Sequence, residues 1–362
     1  MKRIVISVTN DLNTDRRVLK VAHSCHNNGY DVLLIGRKLK NNFPLHFPFK
    51  HKRLRLLFNH SALFYAEYNI RLFFLLLFSK VDILLSNDTD TLPANFLVSK
   101  IRRKKLVFDA HELFPEVPEL AHRPKVKRIW EKIEDWIFPR LKYCYTVCQP
   151  IADYYNQKYH INMKVIRNVP YCSEPIEKKT LDYSGKKIIL YQGAVNIGRG
   201  LEWVIDAMPL IENAVLVIIG DGDIMNDLKE RVNRLQLNEK ILFLGRISGS
   251  ELHKYTPSAD LGICLLENRG LNYYYSLPNR IFDYLHAGVP ILATDFPEMA
   301  RIVKNYNTGI LVNHYEPEYL ADVINNFFMK GFDTNRFAEI AQKFCWEKEE
   351  KILLELLNFF TL

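Results

Sequence analysis

Apolar positions along this chain fall into two alternating rhythms. Short continuous runs at Arg3–Val8, Asp31–Ile35, Val81–Leu85, Leu106–Phe108 and Tyr145–Val147 read as buried strands. Between the first two, Asp15–Asn27 carries Val18, Leu19, Val21 and Ala22 at helical spacing and closes on Asn28-Gly29. Ala62–Phe78 has helical length and a wide apolar face. The rhythm restarts in the second half. Strands are predicted at Lys187–Tyr191, Ala214–Ile219, Ile241–Leu244 and Leu261–Leu265, with helices at Gly200–Met208, Ile224–Leu235 and Glu251–Tyr255. Such alternation implies parallel sheets with helices on both faces. Asn168–Lys187, with Pro170, Pro175, Gly185 and many charges, reads as a linker. The expected architecture is α/β, with two Rossmann-like domains facing a cleft and ligands at the carboxyl ends of the strands. Cys345–Phe360 has the pattern of a final amphipathic helix.

The stretch Tyr273–Glu298 carries the most chemistry. Ser276-Leu277-Pro278-Asn279 reads as an N-cap and first helical turn, with Pro278 preorganised for an early helical position. Ile281, Phe282, Tyr284 and Leu285 supply an apolar face, Ala287-Gly288 ends the helix, and Val289–Ala293 is a short buried strand. Free backbone N–H groups at a helix start beside strand ends suit a phosphate. Asp283, one turn further in, places a carboxylate where it could accept ribose hydroxyls.

Other strand ends carry polar loops. Gln192–Gly200 holds Gly193, Gly198 and Gly200, which let backbone approach a ligand, and Arg199, whose fork of donors fits a diphosphate. Gly220-Asp221-Gly222 and Gly245-Arg246-Ile247 follow the next two strands. In the first half, His111 and Glu112 follow the run 106–108, with Glu116 and Glu119 in a proline-containing loop beyond. Thr9–Arg17 and Asn87–Asp90 end two more strands. There Asn10 and Asn13 can take left-handed turns, and Asp15 can cap a helix. Asn10, Asp15, Arg16 and Asp88 are the ligand-contact candidates of this half.

Composition narrows the classes. The chain has 362 residues, enough for two domains, and 48% hydrophobic with 25% charged residues fits a soluble globular protein. The start, MKRIVISVTND, reads as a strand and polar loop rather than a signal peptide. No unbroken apolar run reaches the roughly 18 residues needed to span a bilayer. Cys25, Cys144, Cys148, Cys172, Cys264 and Cys345 have no metal-ligand spacing and read as reduced, mostly buried thiols. The net charge of +8 points to anionic partners. Without a nucleic-acid motif, these are a nucleotide or an anionic membrane surface. Arg37, Lys38, Lys40, Lys50, Lys52, Arg53 and Arg55 precede the aromatic helix, and that combination favours a membrane interface. HExxH, GxSxG and GxxxxGK[ST] motifs are absent.

Tyr273–Glu298 resembles the nucleotide-recognition segment of family 4 glycosyltransferases of the GT-B fold. Asp283 stands at the second acidic position of their motif, five residues before Gly288. Leu277-Pro278-Asn279-Arg280 resembles the Leu-Pro-Asn-Lys variant of bacterial members. Tyr275 replaces the first acidic residue. Gly193 and Arg199-Gly200 match the family's glycine and cationic loop, with Ala194 where an Arg is usual and Arg280 as its substitute.

The resemblance implies an acceptor-side domain over 1–170, a donor-binding domain over 171–344, and a helix over 345–362 returning to the first domain. It implies a retaining transfer from a UDP- or GDP-linked sugar to a hydroxyl acceptor, with no cofactor or metal required. The acceptor would be a glycan or lipid-linked glycan of bacterial surface assembly. His111, Arg199 and Asp283 would be catalytic, His111 by contacting the donor sugar. Gly193, Arg199, Gly220, Arg246, Ile247, Ser276, Leu277, Pro278, Asn279, Arg280 and Asp283 would bind the donor. The expected location is the cytoplasm, with peripheral contact on the inner face of the cell membrane. A nucleotide-sugar 2-epimerase of the same fold, and a nucleotide-sugar-binding subunit without activity, are the alternatives.

Overall fold

The computed structural model describes residues 1–12, 15–39, 44–172, 179, 181, 183 and 185–358. The chain divides into two compact units, Met1–Asn168 with Glu349–Leu362, and Val169–Lys348.

The first unit holds strands β1 (Arg3–Ser7), β2 (Asp31–Arg37), β3 (Lys50–Leu54), β4 (Ile83–Asn87), β5 (Lys105–Ala110), β6 (Cys144–Thr146) and β7 (Lys164–Val165). They form one parallel sheet in the order β3-β2-β1-β4-β5-β6-β7. Its helices are α1 (Arg16–Asn27), α2 (Ser61–Phe78), α3 (Asp88–Ile101), α4 (Pro124–Ile137) and α5 (Gln149–Tyr159). The inner strands are apolar runs because helices cover both faces. Val5 lies opposite Leu33 on one side and Leu84 on the other. Helix α1 starts where the Asp15 carboxylate accepts the Val18 N–H, an N-cap that satisfies one orphan donor. Helix α2 buries Phe64, Tyr68, Leu72 and Leu76, one per turn, against Val5, Ile35 and Leu84.

The second unit repeats the plan with β8 (Lys187–Gln192), β9 (Ala214–Ile219), β10 (Ile241–Gly245), β11 (Leu261–Cys264), β12 (Ile291–Thr294) and β13 (Gly309–Val312). This parallel sheet runs β10-β9-β8-β11-β12-β13. Helices α6 (Leu201–Ala207), α7 (Met225–Arg234), α8 (Gly249–Tyr255), α9 (Leu271–Tyr275), α10 (Arg280–His286), α11 (Pro297–Tyr306), α12 (Pro317–Lys330) and α13 (Phe337–Ala341) cover it. The last helix, α14 (Trp346–Asn358), passes out of the second unit after Lys348. Within the first unit, Glu349 accepts the Arg167 N–H at 2.8 Å and pairs with its guanidinium at 3.1 Å.

Both sheets have the strand order of a doubly wound nucleotide-binding fold, which reverses direction beside its first strand. Ligands in such sheets sit beyond the carboxyl ends at that reversal, here between β1 and β4 and between β8 and β11.

Several elements, among them α3, α4, α5, α11 and α12, are not marked by the apolar pattern, and three local features differ from it in an instructive way. Strand β3, Lys-His-Lys-Arg-Leu, lacks alternation because it is an exposed sheet edge, where charge suppresses further pairing. A further helix, α9, precedes the expected one, and the Ser276 hydroxyl donates back to the Tyr273 carbonyl at 2.8 Å. Ser276 therefore closes α9 and does not cap α10. Strand β12 begins at Ile291, after Pro290, which has no N–H to offer a ladder.

Candidate functional site

In the second unit, the reversal between β8 and β11 is built from two backbone loops and two arginines. Gly193 continues β8, donating to the Ile219 carbonyl at 2.9 Å, and the Val195 N–H reaches the Asp221 carbonyl at 3.0 Å. These contacts press the loop after β8 onto the loop after β9. A Cβ on Gly220 would lie 1.8 Å from the Gly193 carbonyl oxygen, and one on Gly222 2.4 Å from that of Val195. Only glycine fits at either position.

Two guanidiniums face this turn. Arg280, at the start of α10, is buried and sits over the Tyr191 ring, 4.5 Å from its centroid. Its Nη1 has no hydrogen-bond partner. A Cβ on Gly193 would lie 4.0 Å from that atom, so the cation borders the glycine loop. Burial alone would lower the Arg280 pKa, but Tyr191 and Cys264 raise it, and the side chain stays charged. Arg199 lies over the Tyr273 ring at 5.0 Å, and its buried Nε also lacks a partner. Burial pushes the Cys264 thiol up to about 11, while Arg280 and Arg199 both pull against that rise. Both cations therefore sit near the end of β11.

Helix α10 is fixed by its neighbours. The Tyr284 hydroxyl donates to the Leu190 carbonyl at 2.8 Å, and Gly262 leaves room for its ring, since a Cβ there would stand 2.6 Å from it. Asp283 accepts from the Gln192 amide at 3.3 Å, which holds its carboxylate at the end of β8. Leu277 is buried, and Pro278 and Asn279 form the first turn, their carbonyls accepting from Ile281 and Phe282. The structure thus gathers Gly193, Arg199, Gly220, Arg280 and Asp283 around one reversal. Arg246 is exposed beyond β10 with Ile247 partly covered beside it.

In the first unit, the reversal between β1 and β4 opens into a cavity of about 440 Å³ lined by Asn10, Arg37, Tyr65, Asp88, Asp90 and Phe114, among others. Asp90 is buried, accepts the Thr9 hydroxyl through Oδ2, and leaves Oδ1 without a partner. Burial, then the charge of Asp88, pushes its carboxyl up to about 8. Arg37 lies over the Phe64 ring at 4.6 Å with its Nε unpartnered.

His111 stands between two carboxylates. Its Nδ1 is 3.1 Å from Asp88 and its Nε2 3.2 Å from Asp109, and its backbone N–H donates to the Asp88 carboxylate at 2.8 Å. Burial would lower its pKa, yet Asp88 and Asp109 raise it well above the ordinary histidine value. Both ring nitrogens face carboxylates inside the unit, which favours the protonated ring and fixes its orientation. Asp88 holds a left-handed backbone, φ 57°, a conformation that costs a non-glycine residue energy and clusters at functional sites. Asp109, fully buried, is held down at about 2 against its burial by Arg17 and His111. Arg17 bonds both Asp109 oxygens and the Ile166 carbonyl.

Of the acceptor-side candidates, Asn10 and Asp88 line the cavity, Asp15 caps α1 and accepts from Asn10, and Arg16 is exposed. Arg17, Arg37 and Asp90 are additions. Arg17 could have been found by its helical spacing to Val21. Arg37 and Asp90 carry no such signal. Asn13, Lys40 and the side chain of Glu119 lie outside the described residues. Of the remaining basic run, Arg53 pairs with Asp11 at 3.2 Å, while Lys50 and Lys52 are exposed on the edge strand.

Two doubly wound domains in one chain, the second with a glycine and arginine cradle at its switch point, are the architecture of the GT-B class. The family profile described as Glycosyl transferases group 1 matches residues 173–344, and that described as Glycosyltransferase Family 4 matches 14–170. The chain belongs to the family 4 glycosyltransferases. It is 28% identical over 185 residues to the uncharacterized glycosyltransferase MJ1607 of Methanocaldococcus jannaschii, covering 49% of this chain and 45% of that one. It is also 28% identical over 157 residues to the alpha-monoglucosyldiacylglycerol synthase of Streptococcus pneumoniae, covering 42% and 33%. The match thus spans less than half of either relative's length. Among solved structures, Anabaena Alr3699/HepE in complex with UDP-glucose superposes with a TM-score of 0.74 at 15% identity, over 99% of this chain and 100% of that one.

Proposed function

We propose that this chain moves a sugar, with retention of configuration, from a UDP- or GDP-linked donor to a hydroxyl of a glycan or lipid-linked glycan. The observation that carries this reading is the pair Arg199 and Arg280. Each stacks on a tyrosine, and each keeps a buried guanidinium nitrogen without a partner at the β8–β11 reversal. A buried donor left unsatisfied is costly unless a ligand completes it. A pyrophosphate supplies acceptors of the right charge and reach. As the glycosidic bond to the diphosphate breaks, negative charge grows on the leaving oxygens, and preorganised cations stabilise it there. The two guanidiniums do this work in place of a metal. Asp283 accepts ribose hydroxyls, and Gly193 and Gly220 let the backbone approach the phosphates.

The acceptor occupies the cavity of the first unit, where Asp90 and Asp88 bond sugar hydroxyls and Tyr65 and Phe114 give an apolar wall. His111 acts there as a positioning residue that fixes Asp88. The relative from Streptococcus pneumoniae carries a diacylglycerol product in its name, which agrees with a lipid-linked acceptor. The enzyme works in the cytoplasm, peripherally bound to the inner face of the membrane, in assembly of a surface glycan. Among the described residues one helix, α2, is long and apolar enough by length and composition to cross a bilayer, and only 22% of it is buried. Glu67 and Arg71 interrupt its apolar run, which is why the sequence shows no unbroken span.

A thermal-shift panel of nucleoside diphosphates and nucleotide sugars, followed by product analysis, tests the reading. One base class should raise the melting temperature, and transfer should need an acceptor extract. Conversion of the donor alone to an epimer would assign the chain to epimerisation instead. Binding without turnover on any acceptor would leave a binding subunit.

A further inference from the structure

The segments by which the chain passes into and out of the second unit meet at a cluster of ligand atoms remote in sequence. That unit spans Val169–Lys348, so Cys172 lies just after its start and Cys345 and Glu347 just before its end. The two segments are knit by backbone. The Trp346 N–H donates to the Pro170 carbonyl at 2.7 Å, and Glu347 accepts the Cys172 N–H at 2.9 Å. The Sγ atoms of Cys172 and Cys345 and a Glu347 carboxylate oxygen all lie within 4.8 Å of one another. Cys345 is buried beside the fully buried Trp346, whereas Cys172 and Glu347 are exposed. One ligand is thus anchored in the core and the mouth faces solvent. Among the described residues, the ion pairs of the neighbouring helices use Glu339 and Glu349 and not Glu347.

We infer that Cys172, Cys345 and Glu347 bind a thiophilic divalent cation of the zinc class, with two thiolates and one carboxylate as ligands and a fourth position open to solvent. Zinc takes sulfur at ~2.3 Å and carboxylate oxygen at ~2.0–2.2 Å in a tetrahedron. Ligand atoms on such a tetrahedron stand roughly 3.5–3.8 Å apart, so the observed cluster needs only side-chain rotation to close on an ion. Magnesium and calcium are disfavoured because they require oxygen ligands. On binding, each thiol releases its proton to the buffer and no electron moves. The ion ties the arriving segment to the departing one, and its binding energy adds to the stability of the second unit. The inference is independent of the donor and acceptor reading.

Cobalt(II), added to the reduced full-length chain and then displaced by zinc, is the probe. Thiolate coordination should give an intense near-ultraviolet charge-transfer band at equimolar cobalt, bleached by zinc. Cys172→Ser should weaken the band and lower zinc affinity by at least about 10–100-fold, the loss seen even for outer-shell partners of metal ligands. Cys172 is exposed, so this variant should fold. The buried Cys345 is left for a second variant. Glu347→Gln should keep the charge-transfer band while weakening affinity. Absence of the band, or a band unchanged in Cys172→Ser, overturns the site. So does failure to bind either ion while glutathione disulfide links Cys172 to Cys345, which would make the pair a redox dithiol instead.

Discussion

Arg280 combines two properties that oppose each other in water, burial and a permanent charge. Its guanidinium tolerates burial because a delocalised cation is weakly hydrated and stacks on Tyr191. Removing it should cost transition-state stabilisation more than substrate affinity. Arg280→Ala should lower kcat/KM by roughly 10²–10³-fold, the usual loss for one such donor, and Arg280→Lys should restore little because an ammonium lacks the fork. Steady-state kinetics check this, and the same loss is expected for Arg199→Ala. Near-wild-type kinetics would remove either residue from the site. Asp90 makes a second prediction at this scale. It is faced by Asp88, Glu112, His111 and Thr9, and its folded pKa of about 8 exceeds the ~3.9 of an unfolded aspartate. The folded state therefore keeps a proton that the unfolded state releases. Stability from this group is full below pH ~4 and is lost as pH rises towards 8, by up to about 1.4 kcal/mol per unit. Asp90→Asn should melt like the parent at pH 4 and higher than it at pH 8, by scanning fluorimetry. A difference that does not change with pH would sink this account.

Helix α2 is the element whose two sides disagree. Phe64, Tyr68, Leu72 and Leu76 meet the sheet, but Leu63, Ile70, Phe74 and Phe78 project from the other side, and Phe78 is 81% exposed. A helix apolar all round belongs in a core or at a lipid surface. Here only one face has a core. Exposed Lys80 and Arg103 flank its carboxyl end, where Arg102 bonds the Leu76 carbonyl. This pattern of apolar centre and basic margin suits an anionic bilayer. The double variant Phe74→Glu, Phe78→Glu should reduce co-sedimentation with vesicles rich in anionic lipid by about tenfold or more, given ~1.5–3 kcal/mol per buried phenylalanine. Its melting temperature should hold, since neither ring is buried. Unchanged sedimentation would leave the face without a membrane role. The aromatic helix itself was legible from sequence, but which of its faces stays uncovered was not, because a helix apolar all round gives no stripe to read.

At the scale of the whole molecule, two sheets with the same strand order carry different chemistry at the same topological place. The first offers carboxylates and a cavity, the second glycines and cations. A nucleoside diphosphate should therefore stabilise one unit. In scanning calorimetry at 100 times its dissociation constant, the ligand should add about 2.7 kcal/mol to the unfolding transition containing Val169–Lys348. Loss of that shift in Arg280→Ala would trace it to the cradle, whereas a shift surviving there would place the nucleotide elsewhere.

The sequence by itself determined the local rhythm. Apolar runs marked most of the strands, Gly193 and Gly220 marked the loops that must approach closely, and the order of elements implied two parallel sheets. These depend on residues near one another in the chain. Tertiary structure alone decided which charged groups are buried. Arg17 rather than Arg16 reaches Asp109, Arg280 reaches the loop after β8 while Arg246 stays outside, and Cys172 meets Cys345. Each of these pairings joins segments far apart in sequence, and only the register of non-consecutive strands and the path of the final helix bring them within reach.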